Sequence, residues 1–245
     1  MVADLHNTVI FITGAGTGIG TQIAMRLYES GARLACVSLQ YDYVFPQDCL
    51  TYTGDIFDQE FMSKSLADLK KNVGKIDVLI NNIGYGMNAV CDDISEYEFT
   101  KMLRLNVESQ VNMLRKMECD MRFGLRKVIN IASSYAYIPL PTLEAYAATK
   151  RASLQMTREM AEEFPNLSFA CVCPGYMKHP KHVQYFSSDS GQRFLYHKIP
   201  MKRVGDPFSE LTPAVLLLCC PEWNTSRYIE MVIDGGLSAH IGLES

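Results

Sequence analysis

Three residues near the middle of the chain have the types and spacing for acid–base chemistry: Ser133, Tyr146 and Lys150. Tyr146 and Lys150 stand four apart in a segment that reads as helical from near Glu144, so they share one face, a turn apart. A free phenol releases its proton near pH ~10, too high to serve at neutral pH. An ammonium one turn away favours the phenolate, which lets the phenol exchange a proton during a reaction. Ser133 follows the apolar run Val128, Ile129 and Ile131, read as a buried strand, and its hydroxyl is free to hold a substrate oxygen beside the phenol. The spacing YxxxK also describes surface helices with an aromatic beside a solvated charge, so the assignment depends on its surroundings.

The elements that must position this centre alternate along the chain. Residues 8–13 (TVIFIT) form a β-rich apolar run, followed by the glycine-rich turn 14–20 (GAGTGIG). A helix with Ile19, Ile23 and Leu27 on one stripe then ends at Gly31, and a second strand covers residues 33–39. Glycines there let the backbone approach a pyrophosphate and aim N–H groups at it from a helix N-terminus, which makes this unit a dinucleotide signal. At the end of the second strand an acidic residue would hold the 2′-hydroxyl of NAD and a basic one the 2′-phosphate of NADP. Ser38, Leu39 and Gln40 decide neither.

Residues 41–50, with Pro46, predict little or no helix, and residues 51–56 a short strand leading to Asp55. Asp58 caps a helix whose apolar face is Phe61, Met62, Leu66, Leu69 and Val73, closed by Gly74. Residues 76–80 read as a fourth strand ending in Asn81-Asn82-Ile83-Gly84. Ser95 and Glu98 form a capping box for a helix with Phe99, Met102, Leu103, Val107, Val111 and Leu114 on its apolar stripe. Asn106 falls among them, either as a structural link to a neighbouring strand or as a catalytic group. Residues 167–172 form a sixth strand running into Pro174-Gly175. Residues 176–200 lack clear periodicity and predict a substrate lid. Within it Lys178, His179, Lys181 and His182 read first as a solvated basic start, and second as a face toward an acidic group on substrate or cofactor. Pro207 marks a helix start, Pro213 predicts a kink in a helix over 211–219, and residues 228–233 form a last strand before Asp234-Gly235-Gly236. This alternation predicts an α/β, Rossmann-type doubly wound, mostly parallel sheet with helices on both faces, in one domain over residues 1–245.

Composition fits that class and narrows the partners. Hydrophobic residues make up 48% and charged residues 20% of the 245, with a net charge of -4. Nothing in that balance, or in any Lys/Arg run, points to nucleic acid. No apolar stretch is long enough to span a bilayer, and residues 1–13 lack a basic segment ahead of their apolar ones, so a cytoplasmic protein is expected. Eight scattered cysteines without a CxxC or a matching His pair predict buried thiols, with no metal site and no disulfides. Tyr85, Met87, Tyr135, Tyr137, Met177, Tyr185 and Phe186 are candidate walls of an apolar pocket for a ring-sized substrate.

Together these motifs resemble the short-chain dehydrogenase/reductase family over nearly the whole chain. Residues 13–20 (TGAGTGIG) match the cofactor loop, Asp55 the acidic residue near adenine, and residues 81–84 the family's NNAG with Ile83 for alanine. Asn106, Ser133, Tyr146 and Lys150 fall on the four catalytic positions, and Pro174-Gly175 on the segment that passes the nicotinamide. The short connection after the second strand is faintly similar to that of dihydro-dihydroxybenzoate dehydrogenase. The resemblance implies NAD or NADP held by Gly14, Thr17, Gly18, Ile19, Gly20, Ser38, Asp55, Ile56, Asn82, Gly84, Tyr146, Lys150, Pro174, Gly175 and Met177. It implies hydride transfer to or from a secondary alcohol or ketone. In that scheme Tyr146 exchanges the proton, Ser133 holds the oxygen, Lys150 binds the nicotinamide ribose and lowers the tyrosine pKa, and Asn106 organises a relay water. It further implies a homotetramer or homodimer paired through the helices of Asn106 and Tyr146. Four positions depart from the pattern: Ser38, Ile83, His179 in place of a threonine, and Tyr228 in place of a glycine. The main alternative is a catalytically retired dinucleotide-binding sensor or partner-binding protein, which has no need of all four catalytic positions. Dehydration or epimerisation would need further acid–base groups and a larger substrate domain.

Overall fold

A computed structural model describes residues 4–120, 124–138, 140–223 and 227–239, with the backbone alone at 119, 120 and 181. The fully buried strand β1 (Val9–Thr13) lies between β2 (Arg33–Ser38) and β4 (Val78–Asn81). With β3 (Leu50–Thr53), β5 (Lys127–Ile131), β6 (Ser168–Pro174) and β7 (Tyr228–Ile233), the sheet runs in the order β3-β2-β1-β4-β5-β6-β7. Every pair is parallel. Continuous apolar strands are what a sheet covered on both faces requires. Ile23 and Leu27 of α1 (Gly18–Glu29) and Val215 and Leu216 of α8 (Thr212–Cys219) cover one face over Ile10, Ile12 and Ile129. Side chains of α2 (Gln59–Val73), α4 (Ser109–Asp120) and α5 (Glu144–Glu163) cover the other over Phe11, Leu79, Val128 and Phe169. Strand order reverses between β1 and β4, which opens a crevice at the carboxyl ends of these strands.

Several elements differ from the sequence reading. β3 stops at Thr53, because the Asp55 carboxylate accepts from the Phe57 amide at 2.9 Å and turns the chain. Asp55 and Ile56 therefore lie beyond the strand. The helix read through Asn106 is α3 (Glu96–Leu103) joined to α4 by a wide turn at Arg104–Glu108. Asn106 is fully buried in that turn, while Phe99 and Leu103 of the supposed core stripe are exposed. Residues 176–200 contain two short helices, α6 (Pro180–Phe186) and α7 (Asp189–Lys198), the second capped by Ser188. Helices this short hold too few turns for a period to register. Pro213 sits in the first turn of α8, directly after a wide helical turn at Pro207–Leu211, where its missing N–H costs little.

A buried polar ladder ties α5 to the sheet. Asn81 Nδ2 donates to Asn130 Oδ1 at 2.8 Å, Asn130 Nδ2 to Thr157 Oγ1 at 2.7 Å, and Thr157 Oγ1 to Ser153 O at 2.7 Å. Breaking one link leaves buried groups unpaired, at about 1–3 kcal/mol each. Asn130→Ala should therefore lower unfolding stability by about 2–4 kcal/mol in a urea titration. A loss below about 0.5 kcal/mol would show that the ladder does not anchor α5.

Candidate active site

Ser133 leaves β5 in extended conformation, and its Oγ accepts from the Tyr135 amide at 3.2 Å, opening a short turn over Ser134–Ala136. The chain then returns as α5, which presents Tyr146 and Lys150 on the face toward β5. Lys150 is 3% exposed, and its Nζ donates to Ile131 O at 3.1 Å. Its Nζ lies 5.8 Å from the centre of the half-buried Tyr146 ring, and the Ser133 hydroxyl donates toward the Tyr146 phenol. Ser133, Tyr146 and Lys150 thus meet at one place.

Asn106 is near them with its side chain fully engaged. Its Oδ1 accepts from Tyr85 N at 2.9 Å; its Nδ2 donates to Tyr85 O and to Thr149 Oγ1, both at 2.8 Å. Thr149 Oγ1 in turn donates to Tyr146 O at 2.8 Å. Asn106 therefore straps the segment after β4 to the helix of Tyr146. Gly84 lies in that segment, where a Cβ would come within 3.1 Å of both Asn106 Oδ1 and Lys150 Nζ. Thr149, three residues after Tyr146 on the same helix face, was readable from spacing but carries no motif of its own.

The electrostatics differ from the sequence expectation. Burial pushes the Tyr146 phenol up to about 12, with the Ser133 hydrogen bond pulling the other way. Burial also takes Lys150 down to about 8. Desolvation drives each group toward its neutral form. Lys150 gives one of its three hydrogens to the Ile131 carbonyl, and the phenol beside it stays above its ordinary pKa.

The glycine turn fits a dinucleotide. A Cβ on Gly16 would lie 1.8 Å from Gln40 O, so only a hydrogen lets β2 and the turn meet. Gly18, at φ +56, opens the N-terminus of α1. Asn82 Nδ2 donates to Gly14 O at 2.8 Å, and Gly20 packs against the same carbonyl. Thr17 is exposed at the N-cap with no capping bond from its side chain, Ile19 is partly buried beside it, and Ser38 is buried against Gly16. Gly175, after Pro174, donates to Ile233 O at 2.9 Å at the end of β6. Met177 turns its side chain into the core beneath α1 and α8, and its backbone bridges to Gly205. Ile83 packs on Gly14, with its Cγ1 3.0 Å from where a Cβ there would lie. The His179 Nε2 lies 3.2 Å from the Cβ position of Gly18, so the segment after β6 touches the mouth of the turn.

Of the candidate pocket residues, Tyr135 and Phe186 pack in one cluster with Tyr146 and with two residues not singled out before, Tyr176 and Phe194. Tyr185 stacks edge-on against Phe186. Tyr137 points elsewhere: its hydroxyl bonds Glu230, which also takes the Tyr228 hydroxyl at 2.5 Å and Arg158 at 2.9 Å. That network accounts for a tyrosine at 228. Lys178 pairs with Asp206 at 3.3 Å on the surface, and the Lys181 side chain lies outside the described residues.

Residues 8–190 match the family model described as short chain dehydrogenase. The chain belongs to the short-chain dehydrogenase family. It is accordingly an NAD(P)-dependent oxidoreductase acting on CH–OH or C=O groups. An NAD-dependent glycerol dehydrogenase of Listeria innocua is 27% identical, with 95% of this chain and 94% of that protein covered. The 2,3-dihydro-2,3-dihydroxybenzoate dehydrogenase of Bacillus subtilis is 23% identical, with 95% and 96% covered. Among solved structures, the ligand-free aldohexose dehydrogenase of Thermoplasma acidophilum superposes with a TM-score of 0.87 at 25% identity, covering 99% of this chain and 98% of that one. Among the described residues, no helix is long and apolar enough to cross a membrane.

A pH-dependent stability follows from Lys150. With its pKa lowered from 10.5 to about 8, the folded protein sheds this proton before the unfolded chain does. Between those values the unfolded state binds more protons, so stability rises with pH. Below about 8 the full cost of burying the ammonium remains. Lys150→Met should therefore be more stable than wild type at pH ~7, by up to about 3 kcal/mol, with the gap closing toward pH ~10. A gap independent of pH in urea melts would contradict the shift.

Proposed function

We propose that the enzyme moves a hydride between the nicotinamide and a secondary alcohol or ketone in a small ring, with Ser133, Tyr146 and Lys150 as its acid–base centre. The observation that carries this reading is the convergence of those three side chains at the carboxyl end of β5, beside the glycine turn. When bound, the cofactor supplies or accepts the hydride. Tyr146, protonated at neutral pH as a free phenol is and held so more firmly by burial, gives its proton to the substrate oxygen in reduction and takes it back in oxidation. Ser133 holds that oxygen. Lys150 and the turn residues Gly14 to Gly20 hold the cofactor, with Ser38, Asp55, Ile56, Asn82, Gly84, Pro174, Gly175 and the Met177 backbone around it. Asn106 acts as a positioning residue through Tyr85 and Thr149.

NAD is the preferred cofactor in this reading. Around Gly16 stand Ser38, Gln40 and Asp42, two neutral residues and one acid; the Asp42 amide donates to Gly16 O at 2.9 Å, and Gln40 Nε2 reaches its carboxylate at 3.4 Å. A 2′-phosphate there would meet a carboxylate. The chain forms one domain, with α6 and α7 as a lid over the ring cluster of Tyr135, Tyr176, Phe186 and Phe194. Exposed Phe99 and Leu103 on α3 and Met156 on α5 support pairing of copies through these helices, as a homodimer or homotetramer. Unpaired thiols such as Cys36, Cys171 and Cys219 suit a cytoplasmic setting.

Tyr146→Phe decides between this reading and a retired sensor. The variant should bind NADH within about twofold of wild type and lose about a thousandfold or more in turnover of cyclic alcohols. NADPH should bind at least about tenfold more weakly than NADH in both proteins, read by nicotinamide fluorescence. Wild-type turnover in the variant would reject the acid–base assignment.

A further inference from the structure

The Tyr135 ring touches both the Tyr146 ring and the segment after β6. Its ring centre lies 6.1 Å from that of Tyr146 and 5.5 Å from that of Tyr176, edge to face in both cases. The side chain is 9% exposed, and its hydroxyl is buried with no hydrogen-bond partner among the described residues. The Tyr176 phenol comes close enough to share a weak hydrogen bond with it, and those of Tyr146 and Tyr185 act on it electrostatically, yet no group among the described residues reaches ordinary hydrogen-bond distance of it. Ser134 Oγ, its neighbour in the same turn, is the other unpartnered hydroxyl there.

A buried phenol left unpaired costs stability, and a phenylalanine would pack the same ring contacts without that cost. A hydroxyl kept in such a place has its use when a partner arrives. The partner must come from the cleft, since Tyr135 is walled by the reacting tyrosine on one side and by the aromatic cluster of Tyr176 and Phe186 on the other. A phenol protonated at all ordinary pH values, as burial makes this one, donates its hydrogen bond to an oxygen acceptor.

We propose that Tyr135 is a substrate-binding residue that donates to a second oxygen of the substrate, on a ring carbon near the one that exchanges the hydride. The preferred substrates are then vicinal diols or hydroxyketones of small rings, ahead of ring alcohols with a single oxygen. This rests on the hydride-transfer reading above and adds the second oxygen to it. A site built to hydrogen-bond a substrate group rejects the analogue that lacks it, because its own polar group stays unpaired.

The test compares wild type with Tyr135→Phe, which removes only the hydroxyl. With NAD present, kcat/KM is measured for 1,2-cyclohexanediol and for cyclohexanol. Binding of 2-hydroxycyclohexanone and of cyclohexanone to the NADH complex is followed by nicotinamide fluorescence. The expected result is a loss of about tenfold or more for the two-oxygen compounds and less than about twofold for the one-oxygen compounds. The ligand-free variant should melt at the same temperature as wild type or higher. Equal losses on both classes, no loss on either, or a lower melting temperature would overturn the role of Tyr135. A wild type that turns over neither alcohol, while its NADH complex binds the hydroxyketone more tightly than Tyr135→Phe does, would overturn the hydride-transfer reading and support the role of Tyr135. A wild type that neither turns over the alcohols nor binds either ketone overturns both.

Discussion

The site depends on burying Lys150 and the hydroxyl end of the half-buried Tyr146 in one place. Desolvation is the dominant influence on both: it raises the phenol to about 12 and lowers the ammonium to about 8. Each shift moves its group toward neutrality, and the Ser133 hydroxyl and the Ile131 carbonyl provide the polar partners that make such burial tolerable. Burial of this kind keeps the proton on the phenol and off the lysine.

Such burial requires a rigid frame, and the rest of the fold supplies one. α5 carries both groups and is fixed at two levels. Near its start Thr149 joins Asn106 to the Tyr146 carbonyl, and two turns further on Thr157 joins Asn130 and Asn81 beneath the sheet's crevice. The wide turn at Arg104–Glu108 swings Asn106 inward, out of the exposed face that Phe99 and Leu103 occupy. Turns of this type are common where a helix must aim one side chain at a site. The same crevice is closed from the other side by the glycine turn, held against β2 at Gly16 and against Asn82 at Gly14.

Much of this was legible in the sequence because local rules govern it. The run TVIFIT, the glycines at 14–20 and the spacing of Tyr146 and Lys150 each follow from a single element's geometry, and the alternation of strands and helices gives the sheet. What was not legible depends on side-chain contacts and burial that no single element's periodicity records. Whether Lys150 lowers the Tyr146 pKa is a contest between charge and burial, and burial is a property of the folded molecule. The end of β3 at Thr53 is decided by the Asp55 side chain folding back on Phe57. α6 and α7 are too short to show a period, and their aromatic residues pack on nearby Tyr176 and on Tyr135, which is far along the chain. Tyr137 and Tyr135 look alike two residues apart, yet one bonds Glu230 on β7 and the other faces Tyr146.

The most direct test of the central claim is the ionisation of Tyr146 itself. Ultraviolet difference titration of the cofactor-free wild type against Tyr146→Phe isolates this one phenol. The account predicts a midpoint near the value burial imposes, about 12. A midpoint below the free phenol's ~10 would show that the lysine charge, and not desolvation, controls the site.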